Sequence, residues 1–213
     1  MRRSFLVILS LAICPVLSHA QAMSAYFTSV NTHFTNVANG QSYNPTTATY
    51  ANLFTTSWPP QFGGGVTFNG KGVGPFRLGL DLRGSTNHAT TGADTAMAGP
   101  QLALRLPIVH IRPYVSAEGG YVATRTIGTV APVSTGIGVA VQTISTPITN
   151  QYAAWEVFGG VDVPIFSHID FRAIEIGGGK GYLANSGVTN INFNNTNTQI
   201  SLFSIDTGIV VRF

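Results

Sequence analysis

Residues 203–213 read Phe-Ser-Ile-Asp-Thr-Gly-Ile-Val-Val-Arg-Phe, and their side chains alternate between two faces with a strict period of two. One face of this extended segment carries Phe203, Ile205, Thr207, Ile209, Val211 and Phe213. The opposite face carries Ser204, Asp206, Gly208, Val210 and Arg212. An apolar face opposed to a face with an acid and a base is typical of a strand with lipid on one side and a polar lumen on the other. An amphipathic edge strand of a soluble β-sandwich gives the same local pattern, so the rest of the chain decides between the two.

The N-terminal segment has the pattern of a secretory signal peptide. Arg2 and Arg3 precede an apolar run over residues 5–17 that is too short to span a bilayer, and residues 18–22 supply small side chains. The predicted division is a signal peptide over residues 1–22, cleaved after Ala20 or Ala22, and one mature domain over residues 23–213.

The only cysteine of the chain, Cys14, lies inside the apolar run. The residues before it are similar to a lipobox, but Ile13 is too bulky for the position before a lipidated cysteine, and we expect no lipidation. A mature chain without cysteine has neither disulfides nor thiol chemistry.

Composition indicates an all-β protein. Only 9% of the 213 residues are charged, 24 are glycine, and no stretch after residue 22 reaches the length of a membrane helix. Without Arg2 and Arg3, 9 of the 11 basic residues remain against 8 acidic ones, a net charge of +1. A balance so close to neutral excludes the basic surface of a nucleic-acid-binding protein.

Alternating segments recur along the chain, and the clearest covers residues 76–83. Phe76, Leu78, Leu80 and Leu82 share one face of it, and Arg77, Asp81 and Arg83 share the other. Further strands are predicted over residues 25–34, 61–69, 101–106, 111–118, 153–165, 169–176 and 203–213, eight in all. The phase of the segment 169–176 slips after Phe171, which predicts a β-bulge near Ala173.

The links between these segments alternate between long and short. Residues 35–60, 86–97, 123–150 and 180–198 form long links, and residues 70–75, 107–110 and 166–168 form short ones. This alternation predicts an eight-stranded, antiparallel, up-and-down transmembrane β-barrel with its long loops at one end and both termini at the other. Residues 124–130 and 137–145 could pair as an extra hairpin or extend the barrel above the membrane, so ten strands remain possible.

The polar faces of these segments predict a charged lumen. They carry six arginines and seven acids, namely Arg77, Arg83, Arg105, Arg112, Arg172 and Arg212 with Asp81, Glu118, Glu156, Asp162, Asp170, Glu175 and Asp206. Unpaired buried charges cost several kcal/mol, whereas paired and hydrogen-bonded charges are tolerated, so we expect an ion-paired plug.

The segments around residues 161–172 and the ending 207–213 resemble the small OmpA-like outer-membrane β-barrel family. The resemblance implies a cell outer membrane protein with both termini in the periplasm, in contact with outer-membrane lipid and lipopolysaccharide. It also implies that the barrel assembly machinery reads the C-terminal strand that ends in Phe213. Because nothing follows Phe213, the resemblance does not extend to a peptidoglycan-binding domain, and no anchoring role to the cell wall is implied.

Signals of catalysis or cofactor binding are weak. His33, His88, His110 and His168 show no metal-ligand spacing, so we expect loop or turn histidines and no metal site. The glycines of residues 177–181 are similar to a phosphate-binding loop but lack its full spacing, and a glycine-rich strand end fits better. We predict no cofactor. We also predict no catalytic residue, since the His-x-Ser pair of barrel lipid A deacylases is missing.

Two functional classes then remain for a barrel. The first is a structural or surface-interaction protein, in which long loops meet an extracellular ligand above a plugged barrel. The second is a narrow porin-like channel, favoured by the charged lumen and by Gly79, Gly119, Gly160 and Gly208, which would leave room inside. A lipid-modifying outer-membrane enzyme is a more remote alternative.

Overall fold

The fold is described by a computed structural model covering residues 22–44, 49–70, 72–89, 91–106, 110–130, 144–186 and 199–213. The strands are β1 (Ala22–Asn44), β2 (Thr49–Ser57), β3 (Pro60–Asn69), β4 (Phe76–Thr86), β5 (Gly92–Leu104), β6 (Arg112–Val130), β7 (Ile144–Pro164), β8 (Ile169–Ser186) and β9 (Gln199–Arg212). The predicted signal peptide falls almost entirely outside these residues. Among them, no helix is long and apolar enough to cross a membrane.

The sheet closes on itself. Each strand from β3 to β9 pairs antiparallel with the next, and β1 pairs with both β3 and β9. The ninth strand, β2, pairs only with the outer part of β1. The molecule is therefore an all-β, closed, eight-stranded antiparallel barrel with one extra strand, which confirms the predicted architecture.

The extra strand continues the ladder of the barrel. Asn31 is opposite Pro60 in the β1–β3 pair, and Phe34 is opposite Ser57 in the β1–β2 pair, so one register runs through both. β2 and β3 thus form one long strand that is interrupted at residues 58–59. Proline lacks the backbone N–H that a ladder needs, which accounts for the break at Pro59.

The possible ten-stranded arrangement is wrong for the residues described. Residues 124–130 belong to β6 and pair with the start of β7 in an unbroken register, from Arg112 opposite Asp162 to Val130 opposite Ile144. These residues therefore lengthen the same eight strands, which agrees with the alternative expectation that they extend the barrel. Most of the second half of the proposed hairpin, residues 137–143, lies outside the described residues.

The strands are longer, and the links shorter, than predicted. The link expected over residues 86–97 covers only residues 87–91, because β5 begins at Gly92. Residues 92–100 are mostly alanine, glycine and other small residues, so they give no clear alternation between apolar and charged side chains. We call the end with the links 70–75, 105–111 and 165–168 the short-turn end, and the opposite end the long-loop end.

The bulge predicted near Ala173 is confirmed. Val161 is opposite Ile174, but the next residue, Asp162, is opposite Arg172, so Ala173 is the extra residue of β8. The β8–β9 register shifts in the same place, between Arg172 and Glu175. This extra residue returns Glu175 to the interior beside Arg172.

The predicted faces of the strands are also confirmed. Leu80 is 44% exposed on the outer surface, whereas its neighbour Asp81 is fully buried inside. Large aromatic side chains lie on the outer surface towards both ends. Trp58, Tyr121, Tyr182 and Phe203 lie towards the long-loop end, Phe76, Phe166 and Phe213 lie at the short-turn end, and Trp155 lies near the middle of β7, next to Glu156. An apolar belt between two aromatic girdles is the outer surface expected of a barrel in lipid.

Candidate functional site

The interior of the barrel has two halves of opposite character, and it is the candidate functional site. The charged half lies at the middle and at the short-turn end, and contains the arginines and acids described below. The apolar half lies towards the long-loop end. It comprises Phe34, Val37, Ala93, Met97, Val122, Tyr152, Ala154, Phe158, Ile200 and Leu202, all buried in one cluster.

Arg83 is the centre of the charged half. It projects from β4 and pairs with three carboxylates, Asp81 at 2.8 Å, Glu118 at 2.9 Å and Glu175 at 2.6 Å. Thr67 donates a hydrogen bond to Asp81 over 2.7 Å, which occupies a further carboxylate oxygen. Within the predicted ion-paired plug, Asp81 thus pairs with Arg83, whereas Arg77 and Arg105 form no ion pair with it among the described residues.

Arg172 is the second buried cation and lies next to the bulge. Its guanidinium pairs with Asp162 at 3.1 Å and with Glu175 at 3.3 Å, and the residue is 1% exposed. Glu175 therefore joins Arg83 and Arg172 into one network whose members lie on four strands, β4, β6, β7 and β8. Such a network is tolerated in a low-dielectric interior because most of its charges are paired.

Aromatic rings separate and support these two arginines. The guanidinium of Arg83 lies 3.9 Å from the ring centroid of Phe158, and that of Arg172 lies 4.3 Å from Tyr26 and 4.7 Å from Tyr114. These are cation–π distances. The Tyr26 hydroxyl also donates to Asp81 over 2.8 Å, and the Tyr114 hydroxyl donates to Glu175. The rings thus fill the lumen and satisfy its acids.

Inward-facing glycines make room for these rings. A Cβ atom at Gly65 would lie 2.4 Å from the Tyr26 hydroxyl, and one at Gly160 would lie 2.4 Å from the Tyr114 hydroxyl. The predicted space at Gly160 is therefore occupied by a side chain and gives no water path. Gly119 lies on the outer face, next to the inward Glu118, so its prediction as a lumen residue is wrong.

The other two glycines predicted to open the lumen lie close to neighbouring strands. A Cβ atom at Gly208 would come within 2.1 Å of the Phe27 carbonyl, and one at Gly79 within 2.7 Å of the Phe68 carbonyl. They allow close approach of the backbones, so neither provides open space.

The apolar half was not predicted, since the lumen was expected to be polar throughout. Phe34, Val37 and Val122 have no exposed surface, and Leu202 has only 4%. Phe34, Val122 and Leu202 lie inside the barrel because their strands keep the same inward alternation as the charged half. Val37 lies inside because the β1–β2 register shifts between Phe34 and Val37. A packed apolar core of this kind excludes water.

One further ion pair closes the rim of the long-loop end. Arg125 pairs with Asp94 at 2.9 Å, and Thr86 donates a hydrogen bond to the same carboxylate over 2.7 Å. Arg125 also donates to the backbone carbonyl of Asn87. Asp94 is the one acid of the chain that is not among the predicted lumen residues, because residues 86–97 were expected to form a loop.

Two acids in the middle of the lumen have no arginine within ion-pair distance in the described part of the chain. Glu156 accepts a hydrogen bond from Ser204 over 2.6 Å. Asp206 is 4% exposed, and its Oδ1 has no hydrogen-bond partner among the described residues. The middle of the lumen is therefore richer in acids than in bases.

The arginines that would balance these acids lie at the short-turn end. Asp170 is held between Arg112 and Arg212, each at 2.8 Å. Arg105 follows the last residue of β5 and is exposed at the mouth, so it lies at the edge of the predicted lumen and outside its core. Burial, followed by repulsion from Arg77 and Arg212, lowers the pKa of Arg105.

The predicted histidines lie apart from one another. His88 is in the 87–91 link, and His110 and His168 are in turns, as expected, but His33 lies in β1 against the ring of Trp58, 4.8 Å between centroids. In the described part of the chain no group of three or more His, Cys, Asp or Glu side chains could hold a metal ion. The glycines of residues 177–181 belong to strand β8.

No protein-family model and no curated protein sequence matches the chain. Solved structures similar to it include three eight-stranded outer-membrane barrels. Neisserial surface protein A has 12% identity and a TM-score of 0.41, covering 89% of this chain and 97% of that one. Ail, the attachment invasion locus protein of Yersinia pestis, has 9% identity and a TM-score of 0.44, covering 90% and 97%. The N-terminal β-barrel domain of Pseudomonas aeruginosa OprF has 11% identity and a TM-score of 0.37, covering 89% and 97%. Identities this low do not transfer a function.

Proposed function

We propose that this chain is an integral outer-membrane protein of a Gram-negative-type bacterium, with a barrel that is a closed anchor and a long-loop end that serves structural or surface interactions. The apolar outer belt and the polar inner face support insertion in lipid, because in a bilayer every backbone polar group must be satisfied internally. The closed ladder of eight strands meets that requirement.

The observation that carries the closed state is the apolar half of the interior. Ten buried hydrophobic residues fill the lumen towards the long-loop end. An ion entering from the short-turn end would have to leave its hydration shell to cross this cluster, which costs several kcal/mol. We therefore favour a sealed barrel over a porin-like channel.

The proposed orientation puts both termini in the periplasm and the long-loop end outside the cell. Phe213 is 69% exposed at the short-turn end, and its backbone N–H donates to the Met23 carbonyl over 2.8 Å. An exposed aromatic residue held at the end of the last strand is accessible to the barrel assembly machinery. The outer belt would contact outer-membrane lipid and lipopolysaccharide, and an extracellular ligand would bind at the loops.

Facing and location are tested with a pair of neighbouring substitutions. Leu80→Arg puts a charge on the lipid face and should destabilise the barrel by about 2–4 kcal/mol. Asp81→Asn keeps the shape of the buried side chain and should leave insertion intact. Both variants are scored by fractionation with the outer membrane and by the shift in gel mobility on boiling. Recovery of the wild-type protein as a soluble periplasmic monomer contradicts the proposal.

The closed state of the barrel is tested by conductance in planar bilayers. The wild-type protein should not conduct, whereas the double variant Phe34→Ala and Leu202→Ala, which empties adjacent inward positions, should conduct. Phe203→Ala on the outer face of the same strand pair is the matched control and should stay closed. Steady conductance by the wild-type protein would favour the narrow channel, for which the unpaired acids Glu156 and Asp206 are the supporting observation.

We further propose that the protein is not an enzyme. Within the described residues, His33 lies on the outer face against Trp58, and the other histidines lie in links between strands. A serine nucleophile needs a histidine and an orienting acid within hydrogen-bond distance. The test is the lipid A profile of cells that overproduce the protein, which should be unchanged from that of control cells.

A further inference from the structure

The short-turn mouth of the barrel holds a cavity of about 290 Å³ with an unbalanced charge. Five arginines and two aspartates line it: Arg77, Arg105, Arg112, Arg172, Arg212, Asp162 and Asp170. The formal net charge of these groups is +3. The acid-rich middle of the lumen lies deeper, so the positive groups are concentrated at the opening.

The five arginines of this cavity differ in whether they form an ion pair with a carboxylate. Arg112 and Arg212 share Asp170, and Arg172 pairs with Asp162. Arg77 and Arg105 have no carboxylate within ion-pair distance among the described residues, although both face the same cavity. Neither arginine therefore has a counter-ion among the described residues, which leaves both available to an anion from outside the chain.

Neutral side chains complete the lining. Asn69, Gln101 and Ser24 lie around the same cavity and offer amide and hydroxyl groups. Arg77 lies opposite Ala103 in the β4–β5 pair, and Arg105 follows Ala103 by two residues, so the two arginines lie at the same edge of the cavity. Guanidinium groups bind phosphate oxygens in a bidentate geometry.

We propose that the mouth cavity is a binding site for a phosphate group, held mainly by Arg77 and Arg105. A divalent phosphate matches the excess of positive charge better than a single carboxylate does. The cavity is open at the short-turn end, so the ligand reaches it from the compartment that contains the chain termini. The phosphate belongs either to the free ion or to a phosphate ester such as a lipid headgroup.

The first experiment is a calorimetric titration of inorganic phosphate into the protein folded in micelles of a phosphate-free detergent at low ionic strength. The wild-type protein should show saturable binding. Arg77→Gln and Arg105→Gln should each weaken it about tenfold, because each removes a hydrogen bond from a charged group. Arg125→Gln, which removes the same charge at the opposite end, is the matched control and should leave the affinity unchanged.

A lack of saturable binding to the wild-type protein overturns the proposal. Equal weakening by Arg125→Gln also overturns it, since that result indicates a general charge effect. If a variant fails to fold, as judged by its mobility on gels, the wild-type protein still gives an answer by NMR. The Nε–H signals of Arg77 and Arg105 should move with phosphate while that of Arg83 stays fixed, and the opposite result contradicts the site.

The same titration with glycerol phosphate distinguishes the two sources of the ligand. Tighter binding of the ester than of inorganic phosphate identifies a headgroup ligand, and weaker binding identifies the free ion. Because the measurement uses detergent-folded protein, it depends on the barrel and is independent of where the protein lies in the cell. A negative result here is therefore distinct from a failure of the proposed location or of the proposed seal.

Discussion

The two halves of the barrel interior are built on the same strands but are held together by different forces. In the charged half, Arg83 and Arg172 are fixed by four carboxylates and three aromatic rings. In the apolar half, ten hydrophobic residues pack without a central ion pair. The alternation of a strand therefore decides which side chains point inward, but it does not decide whether the interior is wet, ion-paired or dry.

The difference also predicts how each half responds to mutation. The charged half depends on a few groups, because removal of one member leaves its partners buried and unpaired. The apolar half spreads its stabilisation over many contacts, so a truncation costs the lost transfer free energy and the cavity that remains. The charged half should thus have the larger single-site effects.

The largest effect is expected for Arg172→Met. The substitution leaves Asp162 and Glu175 without one of their cations in a fully buried site, and should destabilise the barrel by about 3–5 kcal/mol. Urea unfolding and refolding in detergent micelles measures it. Arg112→Met, which removes an arginine that is 26% exposed, should cost about 1 kcal/mol or less. Equal costs for the two variants would show that burial of the network is unimportant.

A smaller effect is expected for Leu202→Ala in the apolar half. The lost methyl groups leave a cavity inside the packed cluster, which should cost about 2–4 kcal/mol in the same unfolding measurement. Leu102→Ala is the matched control on the outer surface, where detergent or lipid chains fill the space. If Leu102→Ala is the more costly variant, the assignment of the inner face to a packed core is wrong.

The strand pattern was predictable wherever charged and apolar residues alternate. In β4 the faces of Leu80 and Asp81 follow directly from the sequence, and the slip of phase after Phe171 indicates the bulge at Ala173. The first half of β5 could not be predicted in this way, because its small residues carry little polarity contrast. Its absence from the predicted strands also hid the pair between Asp94 and Arg125.

The contacts of the charged half and the existence of the apolar half could not be predicted from the sequence. Arg83 and Glu175 are 92 residues apart, and only the register of the barrel across several strands places them in contact. The apolar half was missed for a different reason. Met97, Phe158 and Leu202 alternate with outward residues that are also apolar or small, so the sequence does not distinguish the lumen from lipid at these positions.

The smallest effect compares two adjacent glycines of β7, which face opposite sides of the wall. Gly160→Ala puts a Cβ atom 2.4 Å from the Tyr114 hydroxyl and 2.9 Å from Cε1 of the same ring. That ring cannot yield easily, because it lies under Arg172 and donates a hydrogen bond to Glu175. Overpacking of this kind should cost about 1–3 kcal/mol. Gly159→Ala has nothing within 4 Å of the new Cβ and should be neutral in the same measurement.

The double variant Gly160→Ala and Tyr114→Phe removes the clashing hydroxyl, so its cost should be less than the sum of the two single costs. Strict additivity would mean that Tyr114 does not occupy the space that Gly160 leaves, and the ring would then have no part in filling the charged half.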